Sequence, residues 1–147
     1  MPSVKWESGA VSTVLDSGAN SLADDANAIS SEINNTADLY LFNDVELYTA
    51  ALAYTPAAGS VVELYLVESL DGTNYEDGGS SIDPPATNLV GIFNIRAVTV
   101  AQRHVIRQVP IPPLKYKYVI INKTGGTLAA SGNTLRVIPY RYQTTTN

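Results

Sequence analysis

The chain has 147 residues and a mass of 15.7 kDa, 45% apolar and 16% charged residues, and a net charge of −5. That length suits one domain with one core, and the apolar content with low charge disfavours extensive disorder. The absence of cysteine excludes disulfides and thiolate chemistry, and the acidic balance argues against a partner bound through phosphates, so neither a nucleic-acid nor a metal-thiolate protein is expected.

No apolar run approaches the roughly 18 residues of a membrane span, and Met1–Glu7 lacks an apolar secretory core; a soluble, untargeted chain with no membrane partner is expected. Charge is unevenly placed. Residues 1–83 hold all fourteen acids and one base, a balance of −13, whereas residues 84–147 hold eight bases and no acid, +8. Two outcomes are open: strands of the two parts lie side by side and their charges pair locally, or one surface region is acidic and another basic and steers association.

Residues 1–37, rich in Ser, Asn, Ala and Asp, read as an extended or partly helical arm. Val11, Thr13 and Leu15 alternate as in a strand; Leu22, Ala26, Ile29 and Ile33 form a weak helical stripe, with Ser21 placed to cap it and Asp24 and Asp25 suited to its first turn. Val4, Trp6, Val11, Leu15, Leu22, Ile29 and Ile33 are the arm's candidate contact residues, with Trp6 and Val11 as anchors, and removal of residues 1–37 is expected to leave a folded domain.

From residue 38 to 147 the pattern is β. Leu39, Leu41, Val45 and Leu47 alternate with Tyr40, Phe42, Asp44, Glu46 and Tyr48, broken on the apolar face by Asn43. Val62, Leu64 and Leu66 oppose Glu63 and Tyr65 on a second strand. Asp71-Gly72 opens a turn, and Asp71–Gly79 followed by Pro84-Pro85 reads as a long exposed loop. Strands are expected at 92–100, 104–109, 115–122 and 134–142, with a short piece at 127–130 between glycine turns. Pro139 cannot donate a ladder hydrogen bond, which places the last strand at an edge or at a bulge; Tyr140 and Tyr142 project to one side of it. Seven or eight short strands with turns between them predict an all-β, antiparallel sandwich of jelly-roll type.

Little in the sequence points to catalysis. His104 stands alone, and no G-x-S-x-G elbow accompanies it, so a structural or interface role is expected. Asp71, Asn74, Glu76 and Asp77 offer oxygen ligands, but Thr73 and Tyr75 occupy the alternate positions a calcium loop would use. Glu63 and Glu68 could meet other acids in space as a glycosidase pair, without specific support. Nine Tyr and Trp6 could stack on sugar rings, or fill the core periphery and interfaces. Asn34 and Asn122 head N-x-T sequons that matter only on a secretory route. No cofactor and no enzymatic activity are expected. The basic second part supplies a further set of candidate contact residues, Arg96, Arg103, His104, Arg107 and Arg141.

Several stretches resemble the small β-rich virion proteins of tailed bacteriophages: Val4-Lys-Trp-Glu-Ser-Gly-Ala10, residues 31–41 (SEINNTADLYL), Val62-Glu-Leu-Tyr-Leu66 with Asp71-Gly-Thr-Asn-Tyr75, and residues 118–126 (YVIINKTGG) leading to Gly132-Asn-Thr-Leu-Arg136. Among these, the head decoration or cement proteins match best in size, acidity and lack of cofactor chemistry. The resemblance implies a homo-oligomer, dimer or trimer, made in the host bacterial cytoplasm. It would coat the outer capsid and bridge adjacent major capsid proteins. A tail or baseplate module, a connector or tail-tube subunit, and a carbohydrate-binding module are the alternatives.

Overall fold

The computed structural model describes residues 1–145. Ten strands run β1 Ser3–Ser8, β2 Ser12–Leu15, β3 Asn27–Ile29, β4 Ile33–Asn34, β5 Phe42–Thr49, β6 Val61–Ser69, β7 Leu89–Asn94, β8 Gln102–Pro110, β9 Lys115–Lys123 and β10 Thr134–Thr145, with single 3-10 turns at Ser17–Ala19 and Ala86–Asn88. Every pairing is antiparallel. In the first sheet β1 and β2 lie in succession along β10, followed by β5 and β8; in the second, β3 and β4 lie along β9, followed by β6 and β7.

The pairs are nested. β1 and β2 meet β10, β3 and β4 meet β9, β5 meets β8, and β6 meets β7, which is one long hairpin rolled into two sheets. The chain is an all-β, antiparallel sandwich with jelly-roll topology. Its main core is formed by the inward residues of both sheets, among them Val45, Leu47, Leu64, Phe93, Tyr116, Tyr118, Ile120 and Leu135. On β5 alternate residues are buried, and Asn43, the apparent break in the apolar face, points inward with Val45 and Leu47.

Four local expectations are corrected. The segment 1–37 is no separate arm: it supplies β1 to β4, and Val14, Leu15, Ala19, Leu22 and Ala28 belong to the main core. Its helical stripe is not a helix, because Ser21 (φ 53°) and Asp25 (φ 59°) take left-handed conformations that break one, while Asn27–Ile29 hydrogen-bonds to β9. The buried Asn122 side chain holds this irregular stretch by donating to the Leu22 and Ala23 carbonyls at 2.9 and 3.1 Å. Second, β5 begins at Phe42; Leu39, at φ 53°, and Leu41 are exposed. Asn35 fixes the bend before it, donating to the Tyr40 carbonyl and accepting from the Tyr40 N–H, both at 2.8 Å.

Third, residues 127–130 form no strand, although Leu128 is buried in the core and its N–H donates to the Leu22 carbonyl. Fourth, β10 is interior to its sheet despite Pro139. The Pro139 carbonyl accepts from Gly9, where the neighbouring strand is interrupted between β1 and β2. A residue's N–H and C=O point to the same side of a strand, so the missing donor faces that interruption and the ladder to β5 loses nothing.

Candidate interaction face

The two outer sheet surfaces differ in what covers them. On the second sheet the outward side chains Tyr65, Val67, Val119 and Ile121 are buried as a separate apolar cluster, with Ile29 and Tyr75 packed on it. The loop between β6 and β7 folds back over them, which the sequence did not suggest. A Cβ on Gly78 would lie 2.9 Å from Val67, Pro84 is buried, and Asp83 accepts from the Asn27 amide at 2.8 Å. The loop's first turn is held by Asp71, which accepts from the Thr73 and Asn74 N–H groups; these bonds to the carboxylate hold its pKa far below the usual range. Its oxygens are thus committed to the turn, and among the described residues no cluster of His, Asp or Glu is arranged to hold a metal ion.

The outer face of the first sheet is uncovered. Antiparallel register sets Trp6 against Tyr142, Ser8 against Tyr140, Tyr140 against Phe42, Ile138 against Asp44, and Arg136 against Glu46, in turn opposite Val105. Trp6 and Tyr142 have ring centroids 4.3 Å apart, Trp6 and Tyr140 5.2 Å, and Phe42 and Tyr140 5.6 Å. Trp6 is still 52% and Tyr142 51% exposed, and Val4, Val11 and Val105 are exposed as well. This stripe of exposed apolar and aromatic side chains on an open face makes it the candidate contact surface.

Two shallow depressions of about 320 and 450 Å³ lie on this face and share Asp44, Arg107 and Ile138; the larger also has Trp6, Ser8, Gln108 and Tyr140 on its walls. Asp44 is fixed there by the Tyr140 hydroxyl and the Gln108 N–H, each donating at 3.0 Å, at a bulge where Gln108 has φ 56°. Burial, reinforced by the Asp44 carboxylate, pushes the Tyr140 phenol up to about 12. Glu46 receives Arg103 at 2.8 Å and Arg136 at 2.5 Å. Burial alone would raise its pKa, but the two guanidinium bonds outweigh it and hold the carboxyl below the usual value. Arg107 makes no ion pair among the described residues.

The residues singled out in the sequence divide three ways. Val4, Trp6, Val11, Arg103 and Arg107 come together on or beside the open face. Leu15 and Leu22 are in the core, Ile33 packs against it, and Ile29 joins the cluster under the loop, so none of these four is a free contact residue. Arg96 is exposed elsewhere. His104 lies on the inward face opposite Leu47 and 3.1 Å from the Gln102 side chain; burial and Arg96 lower its pKa. Arg141 is bound to Glu7 at 2.7 Å at the β1–β10 pair. Phe42, Tyr48, Val105, Arg136 and Ile138 were missed; the outward parity of β5 and β10 was the available signal, but it does not tell which outer face stays bare.

Topology pairs part of the charge locally. Rolling up the hairpin makes strands of the first and second parts alternate across each sheet, and each of the five ion pairs joins an acid before residue 84 to a base after it: Glu7–Arg141, Asp25–Lys123, Glu32–Lys115, Glu46–Arg103 and Glu46–Arg136. Asp71, Glu76, Asp77 and Asp83, on the loop that covers the second sheet, have no such partner among the described residues.

No protein-family model matches the chain, and no curated protein matches it in sequence. Among solved structures it is similar to one of turnip yellow mosaic virus (13% identity, 100% of this chain and 84% of that chain, TM-score 0.38) and to one of the infectious bursal disease virus Gx strain (14%, 97% and 32%, TM-score 0.38). It is also similar to TmCBM61 in complex with beta-1,4-galactotriose (11%, 95% and 88%, TM-score 0.32). At these scores it is the chain's own strand order that defines the fold, a jelly-roll sandwich with one outer face closed by its own loop and the other open.

Proposed function

We propose that the protein is a structural virion component, a decoration protein that coats the outer face of a tailed-phage head and bridges adjacent major capsid proteins. The observation that carries this reading is the asymmetry of the sandwich: one outer face is sealed by residues 70–88, and the other presents Trp6, Tyr142, Val4, Val11 and Val105 beside Arg107. The likeness of several stretches to β-rich phage virion proteins, among which size, acidity and lack of cofactor chemistry fit the decoration class, supports it. A protein that binds only the assembled lattice stabilises that lattice by mass action, and a homo-oligomer spanning several subunits gains effective concentration from weak contacts. In this reading the molecule turns over no substrate and needs no cofactor.

The test is to add the purified protein back to heads that lack it. Saturable binding in hundreds of copies, with a higher disruption temperature of the shell, is expected; Trp6→Ala with Tyr142→Ala abolishes binding while the fold is retained. A few copies at one vertex would mean a tail or connector protein instead.

A second reading, a carbohydrate-binding module of a tail or baseplate, is favoured by the larger depression. There the Trp6 and Tyr140 rings stand beside Asp44, Arg107, Gln108 and Ser8, a combination of flat aromatic and polar groups suited to sugar rings. Glycan-array binding lost in Arg107→Ala, without affinity for heads, would select it.

A further inference from the structure

β1 is the outermost strand of the first sheet and pairs only with β10 among the described residues. The pairing of β10 to β5 ends at Tyr140, so beyond it β1 and Arg141–Thr145 form a two-stranded ribbon with both edges bare. Two-stranded ribbons are marginal in water, and natural edge strands are usually protected by proline, a bulge or inward charges. β1 (SVKWES) has no proline and its register with β10 is unbroken; its charges, Lys5 and Glu7, stand on the face opposite the exposed Val4 and Trp6 and are of opposite sign, so they oppose pairing with a second copy only in registers that set like against like.

We propose that β1 is a dimerisation edge that pairs antiparallel with β1 of a second copy of this chain. A two-fold axis perpendicular to the sheet keeps the same face outward in both copies only if directly opposed residue numbers add to an even total, because a one-residue slip reverses the facing. A sum of 10 sets Lys5 against Lys5, and 14 sets Glu7 against Glu7, both repulsive. A sum of 12 sets Lys5 of each copy against Glu7 of the other, with Trp6 meeting its own copy on the axis. Each Glu7 then lies between Arg141 of its own chain, already at 2.7 Å, and Lys5 of the second copy. The open face becomes one continuous surface with both Trp6–Tyr142 pairs at its centre. This deepens the proposed oligomeric coat by naming its contact, and it is read in solution, without heads, so the two can fail separately.

Sedimentation of the full chain measures the mass. Twice 15.7 kDa is expected; a monomer at all attainable concentrations overturns the proposal. Lys5→Glu and Glu7→Lys are each expected to be monomeric, because each sets like charges against one another at both ends of the pairing. Their equimolar mixture is expected to be dimeric, since the two substituted side chains then oppose each other with opposite charge, and the unchanged Glu7 of one variant opposes the unchanged Lys5 of the other. A mixture that stays monomeric, or single variants that stay dimeric, overturns the register. Glu7→Lys sets a like charge against Arg141, so its fold is checked by circular dichroism. Cross-linking gives an arm independent of it. The chain has no cysteine, so Trp6→Cys should form an interchain disulfide on mild oxidation, whereas Val4→Cys, opposed to Ser8 of the other copy, should not; equal cross-linking of the two overturns the register.

Discussion

Asn43 on β5 donates its side-chain amide to the Tyr118 phenol on β9, 2.8 Å away across the sandwich, and to Tyr116 at the same distance. All three are wholly buried, and the two phenol rings meet edge to face with centroids 5.6 Å apart. This is a buried polar link between the sheets, and it explains why an amide interrupts an otherwise apolar strand face.

Asn43→Leu should therefore lower stability by about 2–3 kcal/mol, because two buried phenols lose their partner. Urea unfolding should show a lower midpoint at unchanged slope. Burial pushes the Tyr116 phenol up to about 12 and raises Tyr118 further. Groups protonated more readily in the folded state stabilise it fully below the unfolded value of 10.0, and that contribution is lost as pH rises through the folded values. Alkaline unfolding should coincide with the appearance of these two tyrosinates in the absorbance titration.

Acid acts on Glu46. Its carboxyl is held below the usual 4.5 by Arg103 and Arg136 despite burial, so its contribution is present above that value and lost as pH falls through the folded one. Glu46→Gln should cost about 1 kcal/mol at neutral pH, a modest amount because the guanidinium groups are partly in water. The gap from the parent protein should close below the usual glutamate value; thermal melts across the acid range check it.

Deleting residues 1–37 should abolish cooperative unfolding, since it removes β1 to β4, with the core residues Val14, Leu15, Ala19, Leu22 and Ala28, and strips β9 and β10 of their neighbours on one side. The milder Leu22→Ala should cost about 3 kcal/mol for a buried leucine replaced without collapse of the site. Circular dichroism and urea titration separate the two outcomes.

Gly78→Val should loosen the covering loop. Gly78 sits at φ 143°, where side chains are strained, and its Cβ would press on Val67 and Pro84. Faster amide exchange in β6 and β9 of the second sheet is expected, with the first sheet unchanged.

Much of the sandwich was legible in local pattern. Alternation marked β5 and β6, turn residues bracketed β8, β9 and β10, and Gly72, at φ 80°, holds the turn assigned to Asp71-Gly72; that the outward faces of β6 and β9 are buried as well was not legible. The first 37 residues were misread because their strands are two to six residues long and polar, stabilised by β9 and β10 rather than by their own composition. Of the open face, Trp6 and Val11 were singled out as anchors and Val4 as a contact residue, but on the assumption of a detached arm.

The order of residues was enough to establish that the chain is β, where most of it turns, and that acids precede bases along it. Periodicity and turn chemistry act over a few neighbouring residues, so they can be read without the fold. Three-dimensional packing was needed to show that the acidic strand β5 lies between the basic strands β10 and β8 and the acidic β6 beside the basic β9, and that Trp6 meets Tyr142 while residues 70–88 seal the opposite face. Those relationships join positions as far apart as Glu7 and Arg141, 134 residues along the chain, and only the rolled hairpin brings them within bonding distance.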